Sequence, residues 1–301
     1  MLPGKPVWRS PNGSLYLASL FFALMGVCIK LLTGSDASTH GLGWRLAGSH
    51  DMDAVPIAFY RSLFPALALL PWLWHDLFKS ETRRHLPVLI LRGLAGGGAM
   101  VAYFVAIDRT ELSTAVLLNY TSPVWAALLA GYFLKESVPR NIYLAFPVAF
   151  SGVYFLTGGA GDAPEPGRMV GYLAGLGSAV LAGIAYTSVR QLSSHVSALM
   201  VVFWFSLVSC VMLLPWLPAH PLPSPGEWVL LLLAGIFAGV AQWTMTIGYQ
   251  LNKAARASTM NIATVAITSL LAITLLGERF TPRDGVGMLL ILLGLVIASR
   301  R

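Results

Sequence analysis

Residues 117–136 read LLNYTSPVWAALLAGYFLKE, and residues 260–278 read MNIATVAITSLLAITLLGE. In both stretches an asparagine stands seventeen residues before a glutamate, Asn119 before Glu136 and Asn261 before Glu278, across an otherwise apolar run. Each run is long enough to cross the hydrocarbon core of a bilayer as a helix. The repetition is what decides the fold, because it extends well beyond these two stretches.

An offset of 142 residues also pairs Gly93 with Gly235, Gly97 with Gly239, Ala115 with Ala257, and Leu134 with Leu276. Matches of Leu and Ala are cheap in an apolar chain, whereas the Gly, Asn and Glu matches are not. The segment GGAGDAPEPG, residues 158–167, is rich in Gly and Pro and free of large apolar side chains, as a linker should be. It divides the chain into a first half, 1–157, and a second, 168–301.

Composition places both halves in a membrane. The 301 residues are 56% hydrophobic and 11% charged, with a mean hydropathy of +0.70, against roughly a quarter charged in an ordinary soluble domain. Apolar windows predict ten transmembrane helices at 14–33, 54–74, 87–107, 112–134, 141–157, 169–189, 196–217, 228–251, 256–276 and 285–299. Continuous apolarity without period-two alternation excludes an outer-membrane barrel. Five spans per half is an odd number, so the second copy enters the membrane from the opposite side: an all-α integral membrane fold of two inverted-topology five-helix repeats.

The net charge of +7 would suggest nucleic acid in a soluble protein, but here the basic residues lie in short loops. With cytoplasmic termini, twelve Lys and Arg fall on the cytoplasmic side and five on the other, which favours that orientation. Cys28 and Cys210 sit inside predicted helices with no disulfide or zinc spacing. No metal or cofactor motif is present. The first span carries Lys30 and no small-residue cleavage pattern, so it reads as a retained helix.

The ten-span plan, the LKE and LGERFTP ends after the fourth and ninth spans, and FYRSLFPALALLPW in the second together resemble the drug/metabolite transporter superfamily, in its EamA-type branch of two tandem five-helix domains. That resemblance implies a bacterial inner-membrane carrier of small metabolites, often an exporter, with a cavity between the halves. Lys135 departs from the glycine usual in the pattern, and no proline in the second half matches Pro123.

Several residues are candidates for the chemistry. Arg61 lies well inside the second span, where a charge must face protein, water or the interface; either it snorkels to headgroups or it faces the cavity and favours an anionic or zwitterionic substrate. Lys30 and Arg92 lie nearer span ends and are expected to snorkel. Asn119 and Asn261 each need a partner, from a neighbouring helix or a substrate. Tyr120 and Pro123 stand beside Asn119, and the proline leaves a carbonyl one turn back without its donor; Thr264 and Thr268 stand beside Asn261. In the third and eighth spans Tyr103, Gln242, Trp243 and Tyr249 can line a cavity, with Trp125 and Trp204 as further walls. Trp72, Trp74, Trp216 and Trp228 read as interface anchors. The matched pairs Gly93/Gly97 and Gly235/Gly239 suit close helix packing. Glu136 and Glu278 precede hydroxyl and proline residues and read as turn caps, or alternatively as gating groups.

No predicted span carries an Asp or Glu in its interior, and all six histidines fall in loops, which removes the obvious intramembrane proton relay. A membrane enzyme would need a nucleophile, base or metal cluster at one face, and none is legible. The expectation is therefore an alternating-access carrier of a small molecule between the third, fourth, eighth and ninth spans. Export of an amino-acid-like or zwitterionic metabolite, an amino-acid-derived metallophore among them, comes first, and uptake of a vitamin- or cofactor-like compound second. A sensor or assembly subunit is the remaining alternative.

Overall fold

A computed structural model describes residues 11–33, 52–77, 80–133, 140–156, 166–192, 195–251, 264, 267–276 and 281–299. Among these, every regular element is helical. In the first half they are α1 (Pro11–Thr33), α2 (Ala54–Leu73), the short α3 (Ser80–Arg84), α4 (Leu86–Arg109), α5 (Leu112–Asn119), α6 (Ser122–Phe133) and α7 (Arg140–Leu156). In the second half they are α8 (Pro166–Leu192), α9 (Ala198–Leu213), α10 (Pro225–Leu251), α11 (Ile267–Leu276) and α12 (Pro282–Ser299), with a 3₁₀ turn at Leu214–Ala219. Seven segments among the described residues are long and apolar enough to cross a membrane, with α5 and α6 together forming one of them. Side chains such as Leu173, Val211, Ile236 and Leu289 are exposed on the outside of the bundle, the arrangement that lipid rather than water rewards.

The helices pack in a pattern that survives exchange of the halves. α1 lies on α10 and α8 lies on α4; α4 crosses α9 and α10 crosses α2; α2 packs on α9, and α7 packs on α12. Glycines set the close crossings. A Cβ at Gly93 would collide with Val208, and one at Gly97 would come within 2.9 Å of Ser209 Oγ, both on α9. Their mates face α2 in the same way, with Gly235 against Phe64 at 2.7 Å and Gly239 against Pro65 at 3.3 Å. A further pair stands at the same 142-residue offset: a Cβ at Gly152 would come within 2.6 Å of the Gly287 carbonyl oxygen, and one at Gly294 within 2.9 Å of Ala149 Cβ, so α7 and α12 pack closely along their backbones. Small residues permit this approach, and dispersion contacts over the whole length then hold the pair without any hydrophobic drive from lipid.

Loop contacts divide into two ends. At one, the Met52 amide donates to the Leu32 carbonyl at 3.1 Å, Arg168 pairs with Glu111 at 2.8 Å, and His220 Nδ1 lies 3.0 Å from Asp53 Oδ2. At the other, His85 and His195 bring their rings to 4.5 Å. Two helix starts carry reciprocal caps. Ser224 and Glu227 bond each other's main-chain amides before α10, at 2.6 and 3.4 Å, and Thr281 and Asp284 do so before α12, at 2.9 and 3.2 Å. Glu136 and Glu278 lie outside the described residues.

The span expected as one helix over 112–134 is interrupted. α5 ends at Asn119, Tyr120 and Thr121 form a turn, and α6 begins at Ser122. Pro123 has no N–H to donate to the Asn119 carbonyl one turn back, and Thr121 Oγ1 donates to the Leu118 carbonyl at 2.8 Å instead.

Candidate functional site

The break in α5–α6 opens onto a cavity of about 110 Å³. One face of α4 supplies much of the wall. Arg92, Gly96, Ala99, Met100, Tyr103 and Phe104 recur at three- and four-residue spacing, as residues on one side of a helix must. α1 contributes Phe22 and Met25, α2 Arg61, and the broken helix Asn119 and Tyr120. From the second half come Ala182, Ala185 and Tyr186 of α8, Phe205 of α9, Gln242 and Met245 of α10, and Thr264 and Thr268. The site therefore draws on α1, α2, α8 and α9 as well as the expected third, fourth, eighth and ninth spans, because the exchange packing puts all of them around the centre.

Two guanidinium groups dominate it. Arg61 and Arg92 are each 3% exposed. Arg61 Nη1 lies 2.6 Å from the Met100 thioether, a weak acceptor, and Arg92 Nη2 donates to Gln242 Oε1 at 3.2 Å. Both lie against the same ring, with Arg92 Cζ 4.4 Å and Arg61 Cζ 5.6 Å from the Phe205 centroid, within cation–π range. Among the described residues the Nε of each has no hydrogen-bond partner, nor has Thr264 Oγ1. Met100 and Gln242, which receive the two arginines, stand 142 residues apart at matched places in the repeat. Gly96 makes room for Arg92: a Cβ there would collide with Arg92 Nη1 and come within 2.8 Å of the Phe205 ring.

Arg92 corrects an expectation, since it does not snorkel. Counted along the chain it lies near a helix end, but its side chain projects from the face of α4 turned inward. Lys30 does not snorkel either. It is 6% exposed, and its Nζ donates to the Ile107 and Thr110 carbonyls at 3.0 and 2.9 Å, at the C-terminal end of α4, where unpaired carbonyls and the helix dipole attract a cation.

The other candidates divide. Tyr103, Asn119, Tyr120, Gln242 and Thr264 line the cavity with Arg61. Asn119 also serves packing, since its Nδ2 donates to Ser178 Oγ on α8 at 2.8 Å and Ser178 in turn donates to the Gly175 carbonyl at 2.6 Å. Trp125, Trp204 and Trp243 are not among the lining residues; Trp125 instead packs on Phe150 of α7 and against Gly183 of α8. Asn261 and the side chain of Tyr249 lie outside the described residues. Trp72, Trp74 and Trp216 are largely exposed, while Trp228 is half-covered and packs on Tyr60 at 4.8 Å. Sequence reading missed Arg92, Gly96, Tyr186 and Phe205. For the first two a signal existed, a charge one turn before a run of three glycines.

A multi-pass helical membrane protein with a central polar cavity between exchange-packed halves belongs to the class of small-molecule carriers. The model of the EamA-like transporter family matches residues 12–158 and 169–300, and the chain belongs to that family. The pseudopaline exporter CntI of Pseudomonas aeruginosa is 28% identical over 236 residues, covering 76% of this chain and 75% of that one. Human solute carrier family 35 member G1 is 28% identical, covering 68% and 60%, and an S-adenosylmethionine uptake transporter of Rickettsia felis is 25% identical, covering 73% and 71%. A solved crystal structure with 19% identity superposes over 96% of both chains with a TM-score of 0.63, a likeness of fold. The function is secondary transport of small metabolites.

Proposed function

We propose that this carrier sits in a bacterial inner membrane with both termini cytoplasmic and exports a small amino-acid-like, carboxylate-bearing metabolite. The halves, 1–157 and 168–301 joined by 158–167, move against each other to expose the site to each side in turn. The observation that carries the substrate class is the pair of buried arginines in the cavity wall, whose Nε groups have no partner among the described residues. A guanidinium presents a rigid fork that fits a carboxylate with two hydrogen bonds. Both arginines come from the first half and lie against Phe205 of the second, so a cargo bound there touches both halves. The exporter among the relatives supports outward movement; the uptake transporter among them keeps import of a cofactor-like compound as the second reading.

Purified protein in liposomes tests the reading. Vesicles loaded with a labelled metabolite extract should exchange amino-acid-like compounds with the outside, and Arg61→Gln should suppress the exchange. Folded protein that moves no compound in either direction would sink the proposal.

A further inference from the structure

Arg61 and Arg92 place two positive charges in a cavity whose described lining residues include no carboxylate. Guanidinium groups stay protonated in proteins, and two uncompensated cations out of water are costly. Among the described residues, the acceptors they engage are a thioether and one amide oxygen. Each arginine has five N–H donors and makes one hydrogen bond to a described residue. One carboxylate from the cargo would satisfy one fork and leave the other as it stands.

The two forks also come to one ring from different helices. Arg61 of α2 reaches the Met100 thioether of α4, and the Arg92 guanidinium folds back over Gly96 on the same face of α4. Phe205 of α9 lies against both, 5.6 and 4.4 Å from their Cζ atoms. Each fork takes one planar carboxylate with two hydrogen bonds, so two carboxylates a few bonds apart match the pair, with the connecting carbons against the ring.

We propose that the cargo is a small dicarboxylate, one carboxylate on Arg61 and the other on Arg92, so that the site counts acidic groups. The inference rests on the carrier reading above and sharpens its substrate class. Asn119 and Tyr103 line the same cavity, where an amino substituent of the cargo would meet them.

Shape-matched pairs test it: glutamate against glutamine and aspartate against asparagine, with glycerol 3-phosphate as the phosphate probe. Ligand-induced thermal stabilisation of the purified protein and counterflow in liposomes should both favour the acid over its amide by at least about tenfold, as expected of a site built to pair a group its analogue lacks. Arg92→Gln should collapse that ratio to within about twofold, and Arg92→Lys should retain most of it. Equal response to acid and amide overturns the proposal, as does a response to glycerol 3-phosphate alone. Transport of other metabolites with none of the four amino acids engaged sinks the dicarboxylate assignment and leaves the carrier reading standing. No transport of anything by folded protein takes down both.

Discussion

Lys30 and Arg92 are buried to nearly the same degree, 6% and 3% exposed, in helices of the same repeat. Lys30 gives its Nζ to two main-chain carbonyls at the end of α4, groups that need a donor in any case. Arg92 has one side-chain amide, the face of an aromatic ring and an Nε with no hydrogen-bond partner among the described residues. Burial therefore does not separate a structural cation from a functional one; the identity and permanence of the partner do. The Lys30 partners cannot leave, because they belong to the helix it caps. The Arg92 partner Gln242 belongs to the other half of the molecule, so movement of the halves, or arrival of an acid, can replace it.

Removal of each charge breaks the comparison in opposite ways. Arg92→Gln should leave the protein abundant and folded and cut cargo affinity by about 2–5 kcal/mol, the usual cost of deleting one member of a buried charged pair. Transport per mole of protein should then fall at least tenfold. Lys30→Met should do the reverse. Two carbonyls lose their donor, for about 1–3 kcal/mol of stability, read as a lower melting temperature in detergent, while the surviving protein transports normally per mole. If Lys30→Met abolished transport at unchanged stability, the division into structural and functional cations would be wrong.

Gly96→Ala sharpens the comparison without touching a charge. The added methyl takes the place of Arg92 Nη1 and presses on Phe205. The guanidinium end is flexible and can swing away, so the fold should survive; alanine also favours the helix over glycine by about 1 kcal/mol. The expected result is a several-fold rise in the half-saturating cargo concentration with a melting temperature equal to or above that of the parent. A lower melting temperature with unchanged cargo response would place Gly96 among the packing glycines instead.

These particulars show where the sequence was legible. The glycine pairs at the 142-residue offset stand where α4 meets α9 and α10 meets α2, and Gly could be noticed because only it admits such approach. Gly152 and Gly294 obey the same offset and went unnoticed, since 29 glycines in an apolar chain make a single coincidence unremarkable. Pro123 marked a weak point in the helix expected over 112–134, because a missing N–H is a property of the residue itself, but the full break at Tyr120 and Thr121 was not foreseen. Arg92 was misread because depth along a chain is not depth in a fold; the direction in which a helix face points is settled by its neighbours. Phe205 could not be found at all. An aromatic in the uniformly apolar α9 carries no local mark, and its importance arises from two arginines that reach it from 144 and 113 residues away in sequence.

The smallest expected effect lies in a hydroxyl. Ser122 and Thr264 occupy matched places in the two repeats, both 3% exposed. Ser122 is hydrogen-bonded to Tyr186, whereas Thr264 lines the cavity and its Oγ1 has no partner among the described residues. A buried hydroxyl left unpaired costs stability in the empty protein and recovers it only when something polar arrives. Thr264→Val keeps the shape and removes the hydroxyl, so the empty protein should be as stable or slightly more so. Cargo should bind more weakly by about 0.5–1.5 kcal/mol, the net worth of one hydrogen bond. Ser122→Ala should show the opposite balance, losing stability with its Tyr186 bond and little cargo affinity. Equal responses of the two variants would mean that the repeat positions play one role, and that the asymmetry between a satisfied and an unsatisfied polar group does not mark the binding site.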